Sequence, residues 1–242
     1  MENKNLNIAI IGASGSLGEM FVKQLAINSQ TKSIFAFSRS KTNFENEKIE
    51  SHFIDIEDEE SIQTSANIAS KNAKIDMVIV ATGMLHNEDF GPEKSLRDLS
   101  KEKFQKIFSI NTIAPAIIAK HFLPKLNRER KSVFAAISAR VGSISDNHLG
   151  GWYAYRASKA ALNMVLKNAS IEIARSNKNS VIIGLHPGTV DSNLSKPFQG
   201  AVKEEKLFTP EYSVRKLLEV IENSSPADSG NIIDFNGVKI EF

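Results

Sequence analysis

The stretch "IIGASGSLGEMF", residues 10–21, joins an apolar segment to an amphipathic one and places Gly12, Gly15 and Gly18 at the spacing G-x-x-G-x-x-G. Glycine permits a tight turn and lets the backbone approach a phosphate closely. The free N–H groups of a following helix can then bind the anion. Three glycines can also serve ordinary turns, but their position between a strand and a helix favours nucleotide binding.

Outward from this loop, short runs rich in Val, Ile and Phe alternate with longer amphipathic stretches. Such runs are typical of strands covered on both faces, as in a parallel sheet. Strands are predicted at 6–11, 33–37, 51–54, 76–81, 132–138, 180–185 and 231–235, and helices at 16–28, 58–71, 111–127, 153–176 and 210–222. The alternation predicts an α/β fold, a Rossmann-type doubly wound parallel sheet of about seven strands with helices on both faces. Without repeats or Pro-rich linkers, we expect one domain over residues 1–242.

Composition excludes several classes of function. The 242 residues contain no cysteine, which excludes disulfides and thiolate chemistry, and the net charge is only +2. This balance argues against binding nucleic acid through bulk charge. No apolar run predicts a membrane span, and the polar start "MENKNLN" lacks a signal-peptide core. We therefore expect a cytoplasmic protein that binds neither nucleic acid nor membrane.

The end of the second predicted strand, "FAFSRSK" at residues 35–41, bears on the choice of cofactor. NAD-binding enzymes usually place an acidic residue here for the ribose 2′-hydroxyl, whereas an arginine suits the 2′-phosphate of NADP. This chain offers Arg39 and Lys41 and no acid before Glu45. An ordinary basic loop is the alternative, but the pattern favours NADP(H), with NAD(H) possible.

Seven landmarks then occur in order along the chain. They are the glycine loop at Gly12, "DI" at Asp55, "ATG" at Ala81, "SIN" ending at Asn111, "IS" ending at Ser138, "YRASK" starting at Tyr155 and "HPG" around Pro187. In these features, and over nearly its whole length, the chain resembles the short-chain dehydrogenase/reductase (SDR) family. It looks closest to the C-factor-like and small carbonyl-reductase-like members, through "RVGSI", "GGWYAYRASKAALN" and "HPGTVDSNLSKPF".

Tyr155 and Lys159 lie four residues apart, on one face of a predicted helix. Either residue alone could be packing or solvated surface. The resemblance implies that Tyr155 is the general acid that protonates the substrate carbonyl, and that Lys159 also binds the nicotinamide ribose. A phenol has a pKa of about 10, and a nearby cation lowers it. Tyr212 and Lys216 repeat the spacing late in the chain, where we expect an ordinary helix face.

The resemblance also makes Asn111 the active-site asparagine, which holds a water in the proton relay; the alternative is a helix cap or kink. The family's catalytic serine lies three residues before a glycine, and counting back from Gly142 reaches Ala139. Ser138 is the first candidate to replace it, if the strand end shifts locally, and Ser143 is the second.

Further positions follow from the resemblance. Asp55 and Ile56 would contact adenine, although Asp55 also suits a turn or helix cap, and residues 187–192 would fold over the nicotinamide. The predicted cofactor-binding residues are Gly12, Ser14, Gly15, Ser16, Leu17, Gly18, Arg39, Asp55, Ile56, Ala81, Thr82, Gly83, Tyr155, Lys159, Pro187, Gly188, Val190 and Ser192. The five histidines show no ligand spacing, so no metal is expected.

The sequence therefore predicts an NADPH-dependent oxidoreductase acting on a carbonyl or alcohol compound. The alternative is a cofactor-binding regulatory or C-factor-like signalling protein with weak or no turnover, which Ala139 favours. An epimerase-type member is a weaker reading, because 242 residues leave little room for a larger substrate domain. The resemblance implies a substrate pocket shaped by residues 193–210 and the C-terminal tail. Leu194, Phe198, Leu207 and Phe242 would line it or equally be packing, and Trp152 is another candidate wall. Apolar positions on more than one side of the helices predicted at 111–127 and 153–176 predict a homodimer or homotetramer.

Overall fold

An eight-stranded sheet forms the centre of the protein in the computed structural model, which describes residues 5–201 and 203–242. The start of "MENKNLN" lies outside the described residues. The strands of this sheet and of a separate two-stranded pair (β7, β8) are β1 Leu6–Ile11, β2 Thr31–Ser38, β3 Ile49–Phe53, β4 Met77–Val80, β5 Ser132–Ile137, β6 Ser180–His186, β7 Thr189–Val190, β8 Leu207–Phe208, β9 Ile232–Asp234 and β10 Lys239–Ile240. The order in the large sheet is β10-β9-β6-β5-β4-β1-β2-β3, and only β10 runs antiparallel to its neighbour.

Helices cover both faces of this sheet. They are α1 Ser16–Ala26, α2 Glu59–Ser70, α3 Lys101–Phe108, α4 Ala114–Phe122, α5 Tyr153–Ile173 and α6 Pro210–Asn223. One apolar core packs α2, α4 and α5 against one face, and a second packs α1 and α6 against the other. The predicted Rossmann-type doubly wound fold is confirmed, with a strand count slightly above seven. The extra strands β7, β8 and β10 have two residues each, too short to show a hydrophobic period.

The helix predicted to begin at residue 111 begins ten residues earlier, at Lys101, because α3 continues through a π-helical segment, Ser109–Ile113, into α4. The first part, "KEKFQKIF", is too polar to mark a buried helix. By length and composition alone the stretch from Lys101 to Lys125 could cross a membrane, with a mean hydropathy of 1.2. However, 56% of its apolar window is buried inside the protein, as in a core helix.

The sheet brings distant segments together at the carboxyl ends of its strands. β1 lies between β2 and β4, so the chain leaves β1 towards one edge of the sheet and later returns to build the other. Ligands bind doubly wound sheets at this switch point. The glycine loop follows β1, the "ATG" segment follows β4, and the segments leading to Tyr155 and to Pro187 follow β5 and β6.

Candidate active site

The glycine loop makes a close turn between β1 and α1. Gly12 has a φ of 90°, a conformation that disfavours other residues. A Cβ on Gly18 would lie 2.0 Å from the Gly12 carbonyl oxygen, so this helix packs against the loop only because residue 18 is glycine. Gly15 is the N-cap of α1 and offers no side-chain cap. The first N–H groups of α1, at Ser16, Leu17 and Gly18, therefore have no intrahelical acceptor, as an anion site requires.

The "ATG" segment lies against this loop. The backbone N–H of Ala81 donates to the carbonyl of Ile11 at 2.8 Å. An ideal Cβ on Gly12 would meet the Thr82 methyl and the Ala81 carbonyl carbon at 3.0 Å, so the two segments form one wall. The Thr82 hydroxyl oxygen is buried and has no hydrogen-bond partner among the described residues. An unpaired buried hydroxyl beside a glycine loop suits a ligand that supplies the missing hydrogen bond.

Asp55, Ile56 and Arg39, which the resemblance assigns to the adenosine end of the cofactor, follow β3 and β2. Asp55 Oδ1 accepts a hydrogen bond from Glu57 N at 3.0 Å, which is the turn role, and Ile56 is buried. Arg39 is exposed and lies near Glu57. A hydrogen bond from Lys106 lowers the pKa of Glu57, and the charge of Arg39 adds to this effect. Lys106 pairs with Glu57 at 2.8 Å, and no ion pair among the described residues involves Arg39.

Tyr155 and Lys159 lie in the first two turns of α5, and both are buried. Lys159 Nζ lies 5.8 Å from the centroid of the Tyr155 ring and donates a hydrogen bond to the Ile137 carbonyl at 2.9 Å. A Cβ on Gly142 would lie 2.8 Å from the Cβ of Lys159, so this glycine lets the segment after β5 reach α5. Lys159 is thus tied to the end of β5, beside the phenol.

Burial changes the acidity of both groups. It raises the pKa of Tyr155 to about 12 and lowers the pKa of Lys159 to about 8. The spacing of the two residues predicts that Lys159 lowers the pKa of Tyr155, but desolvation of the phenolate has the larger effect here. The phenol therefore keeps its proton throughout the neutral range.

Asn111 occupies the π-helical segment between α3 and α4 and is fully buried. Its Oδ1 accepts a hydrogen bond from Met84 N, and its Nδ2 donates to Met84 O, both at 2.8 Å. Nδ2 also donates to Ser158 Oγ at 3.1 Å. An ideal Cβ on Gly83 would lie 3.7 Å from both Asn111 Oδ1 and Lys159 Nζ. The structure thus brings Asn111 and Lys159 to the same wall of the cleft, and π-helical segments are frequent at functional sites.

The two serine candidates are not brought to the phenol. Ser138 Oγ donates to Asn163 Oδ1 at 2.6 Å, one turn beyond Lys159 along α5, and both residues are buried. Ala139 stays extended, with φ −153° and ψ 145°, so its side chain points away from that of Ser138. The expected local shift of the strand end is absent. Ser143 Oγ accepts from Asp146 N at 3.1 Å within its own turn. Among the described residues neither hydroxyl hydrogen-bonds Tyr155 or Lys159.

The "HPG" segment continues β6 across the cleft. Gly188 has a φ of 75°, and a Cβ there would come within 2.6 Å of the Phe208 ring, so β7 and β8 pair closely above it. Ser213 Oγ donates a hydrogen bond to the Pro187 carbonyl at 2.8 Å, and Val190 is buried. The hydroxyl oxygens of Ser192 and Ser195 lie 3.5 Å apart. This segment forms a second wall of the cleft. It follows β6, whereas the glycine loop follows β1, and β5 and β4 lie between these two strands in the sheet.

An aromatic cluster lies beside the phenol. Trp152 packs edge-on against Tyr155, with ring centroids 6.2 Å apart, and against Phe198 at 5.2 Å. His86 contacts Phe198 at 5.5 Å, and its Nε2 lies 3.2 Å from the Leu194 carbonyl. Trp152 and Phe198 thus meet near Tyr155, and the backbone of Leu194 reaches this cluster through His86. Leu207 belongs instead to β8, and Phe242 is exposed at the chain end.

The repeated Tyr–Lys spacing on α6 has no such surroundings. Tyr212 is partly exposed, and Lys216 pairs with Glu219 at 2.6 Å on the surface. The prediction of an ordinary helix face is confirmed. Sequence reasoning missed a different residue, Glu93, which is only 3% exposed and contacts the start of α5. A single acid in "GPEKSL" carries no signal of burial, because the contact that buries it lies 61 residues away.

Comparison with known proteins shows the family and the relatives of the chain. The family model described as short chain dehydrogenase matches residues 6–202. The chain is 30% identical over 190 residues to 1-hydroxy-2-glutathionyl-2-methyl-3-butene dehydrogenase of Rhodococcus sp. (strain AD45), covering 78% of each chain. It is 33% identical over 146 residues to the C-signal of Myxococcus xanthus, covering 60% of this chain and 82% of the other.

Among solved structures, the fold is similar to that of the NADPH-bound carbonyl reductase from chicken fatty liver. The TM-score is 0.86 at 23% identity, and the match covers 98% of this chain and 95% of the other. At this level of identity the likeness concerns the fold.

Proposed function

Because the chain belongs to the short-chain dehydrogenase family and is an oxidoreductase of that family, we propose that it reduces a carbonyl compound with NADPH, using Tyr155 as the general acid. The observation that carries this proposal is the pairing of Tyr155 with Lys159 at the carboxyl end of β5. Tyr155 is buried, and Lys159 is tied to the Ile137 carbonyl beside it.

The protonation states favour reduction over oxidation. With a pKa raised to about 12 by burial, the phenol of Tyr155 holds its proton near neutral pH and can give it to an acceptor. With a pKa lowered to about 8, the Lys159 ammonium remains largely protonated below that pH and can resupply the proton. Asn111 shares a wall of the cleft with Lys159 and would orient a water between its own side chain and Lys159.

The residues present fit a nicotinamide dinucleotide. The uncapped start of α1 would hold the pyrophosphate, the unpaired Thr82 hydroxyl would bond the adenosine ribose, and Lys159 would bond the nicotinamide ribose. When bound, the cofactor supplies the hydride. Arg39 would hold the 2′-phosphate, which is why we favour NADP(H) over NAD(H). Tyr155 would donate its proton to the carbonyl oxygen, while the Trp152–Phe198 cluster excludes water from one side of the phenol.

We place the protein in the cytoplasm as one domain and as a homodimer or homotetramer, in line with a family whose members commonly oligomerise. The substrate would be a small carbonyl compound rather than a nucleic acid or a lipid surface. The side chain facing the substrate oxygen from the end of β5 would be the methyl group of Ala139. Tyr155 would then carry more of the oxyanion stabilisation that a serine usually shares.

The test is the Tyr155→Phe variant. Removing the phenolic hydroxyl removes the acid and leaves the cleft, so NADPH oxidation in the presence of aldehydes, ketones and quinones should fall at least about a hundredfold. NADPH affinity, measured by calorimetry, should stay within a fewfold. Tyr212→Phe is the matched control on α6 and should retain full activity. Undiminished turnover in Tyr155→Phe would contradict the mechanism.

A signalling or regulatory role is the second candidate. The relative named C-signal and the alanine at position 139 favour it. A protein of that kind would bind NADPH through the same cleft and show no steady consumption of it with any member of the carbonyl panel. Sustained turnover that depends on Tyr155 would exclude this alternative.

A further inference from the structure

Helix α5 begins without a side-chain cap of its own. Its N-cap is Trp152, whose backbone is left-handed, with a φ of 49°, and whose indole has no acceptor atom. The first N–H groups of a helix lack intrahelical partners and are costly to bury unpaired. Ala154, in this first turn, is only 1% exposed. Its N–H therefore needs an acceptor from another part of the chain.

Glu93 supplies that acceptor from the segment between β4 and α3. Its carboxylate oxygen Oε2 accepts from Ala154 N at 3.2 Å, and its carbonyl oxygen accepts from Trp152 N at 2.6 Å. A carboxylate that is 3% exposed is costly unless its charge is balanced. The positive end of the α5 dipole balances it. Glu93 thus caps the helix with its side chain and its main chain together.

Tyr155 is the residue after Ala154 and lies in the turn that Glu93 caps. We infer that Glu93 is a positioning residue for Tyr155, an inference that rests on the proposed reductase function. Its hydrogen bond to Ala154 N fixes the first turn of α5 and thereby the direction of the phenol. The length of the Glu93 side chain matters for this bond and its charge does not, because a neutral acceptor of the same length would make the same hydrogen bond.

The segment that carries Glu93 is itself held at its other end by the site. Met84 is bound by the side chain of Asn111 through both its N–H and its C=O. The chain from Met84 to Glu93 therefore connects Asn111 with the start of α5. This connection explains how a residue outside the family motifs holds two parts of the site in one geometry.

Two variants of Glu93 separate the effect of side-chain length from the effect of charge. Glu93→Gln keeps the length and an acceptor oxygen without the charge, whereas Glu93→Asp keeps the charge but withdraws it by one methylene. A displacement of about 1 Å at a reacting group can cost up to about a hundredfold in rate. We expect kcat to fall at least about tenfold in Glu93→Asp and to stay within about threefold in Glu93→Gln. NADPH affinity should be unchanged in both.

Asp58→Ala is the matched control, because Asp58 is also an acidic cap. It accepts from Glu60 N at 3.0 Å at the start of α2, which carries no residue of the proposed catalytic set. Its kcat should equal that of the unaltered protein. The inference is overturned if Glu93→Asp keeps full kcat, or if Glu93→Gln falls as far as Glu93→Asp.

Hydrogen–deuterium exchange of the protein without cofactor provides a readout that needs no activity. Amides in the turn 153–156 should exchange at least about tenfold faster in Glu93→Asp than in Glu93→Gln, while the rest of α5 is unchanged. If no carbonyl compound is turned over by the unaltered protein, the proposed function fails, and exchange still decides the cap. Equal exchange in both variants would refute the capping role of Glu93.

Discussion

Tyr155 and Lys159 show how one environment prepares two groups for one proton transfer. Burial disfavours the charged form of each, so the phenol keeps its proton and the ammonium releases its proton more readily. Lys159 binds protons less tightly in the folded chain than in the unfolded chain, because its pKa falls from 10.5 to about 8. Its burial therefore opposes folding below about pH 8, and this cost disappears as the pH rises towards 10.5. A buried, costly lysine is typical of a functional site.

Arg39 is the residue on which the choice of cofactor depends. Arg39 is exposed and follows β2, and residues 38–44 contain no acidic side chain. Arg39→Ala should weaken NADPH binding roughly tenfold to a hundredfold, the range for a lost hydrogen bond to a charged group. NADH binding should be nearly unchanged. Parallel calorimetric titrations of both cofactors measure this, with Lys41→Ala as a control for charge in the same loop. Tighter binding of NADH than NADPH by the unaltered protein would refute the preference.

At the scale of elements, the β1–α1 turn depends on the absence of one side chain. A Cβ on Gly18 would lie 2.0 Å from a carbonyl oxygen, so Gly18→Ala must displace α1 or the loop. Overpacking of this kind costs about 1–3 kcal/mol. We expect thermal unfolding at a clearly lower temperature, together with loss of NADPH binding. Gly91→Ala is the control, since no described atom beyond its two chain neighbours lies within 4 Å of its added Cβ. A Gly18→Ala protein as stable as Gly91→Ala would contradict this packing argument.

The elements that sequence predicted well are those with a strong local signal. The strand Leu6–Ile11 and the start of α5 at Tyr153 agree with prediction to the residue. The direction of Ser138 was not predictable, because it depends on the strand remaining extended through Ala139. The cap from Glu93 was not predictable either, since nothing local marks which distant acid reaches a helix start. Motifs thus located Tyr155 and Lys159, whereas the contacts that orient them are long-range.

At the scale of the whole molecule, the apolar residues of α4 and α5 divide between the core and the surface. Ala114, Ile118 and Phe122 are buried in the core and form the face of α4 that packs on the sheet. The exposed apolar residues of this region are Ile113, 55% exposed, and the pair Met164 and Ile171 on α5. These three residues are therefore the surface through which the proposed assembly of α4 and α5 can be tested.

Met164 and Ile171 are seven residues apart, which places them on the same face of α5, and they are 60% and 51% exposed in the single chain. If the protein assembles through this face, both side chains become buried, and a charge there would have to be desolvated. The double variant Met164→Glu and Ile171→Glu should therefore be a monomer, while the unaltered protein at micromolar concentration gives the mass of a dimer or tetramer by light scattering.

Ile27→Glu is the control: Ile27 is 83% exposed at the end of α1, on the other side of the sheet, and its replacement should leave the mass unchanged. A monomeric mass for the unaltered protein would refute assembly altogether. An unchanged oligomer in the double variant would show that this face of α5 is not part of the interface.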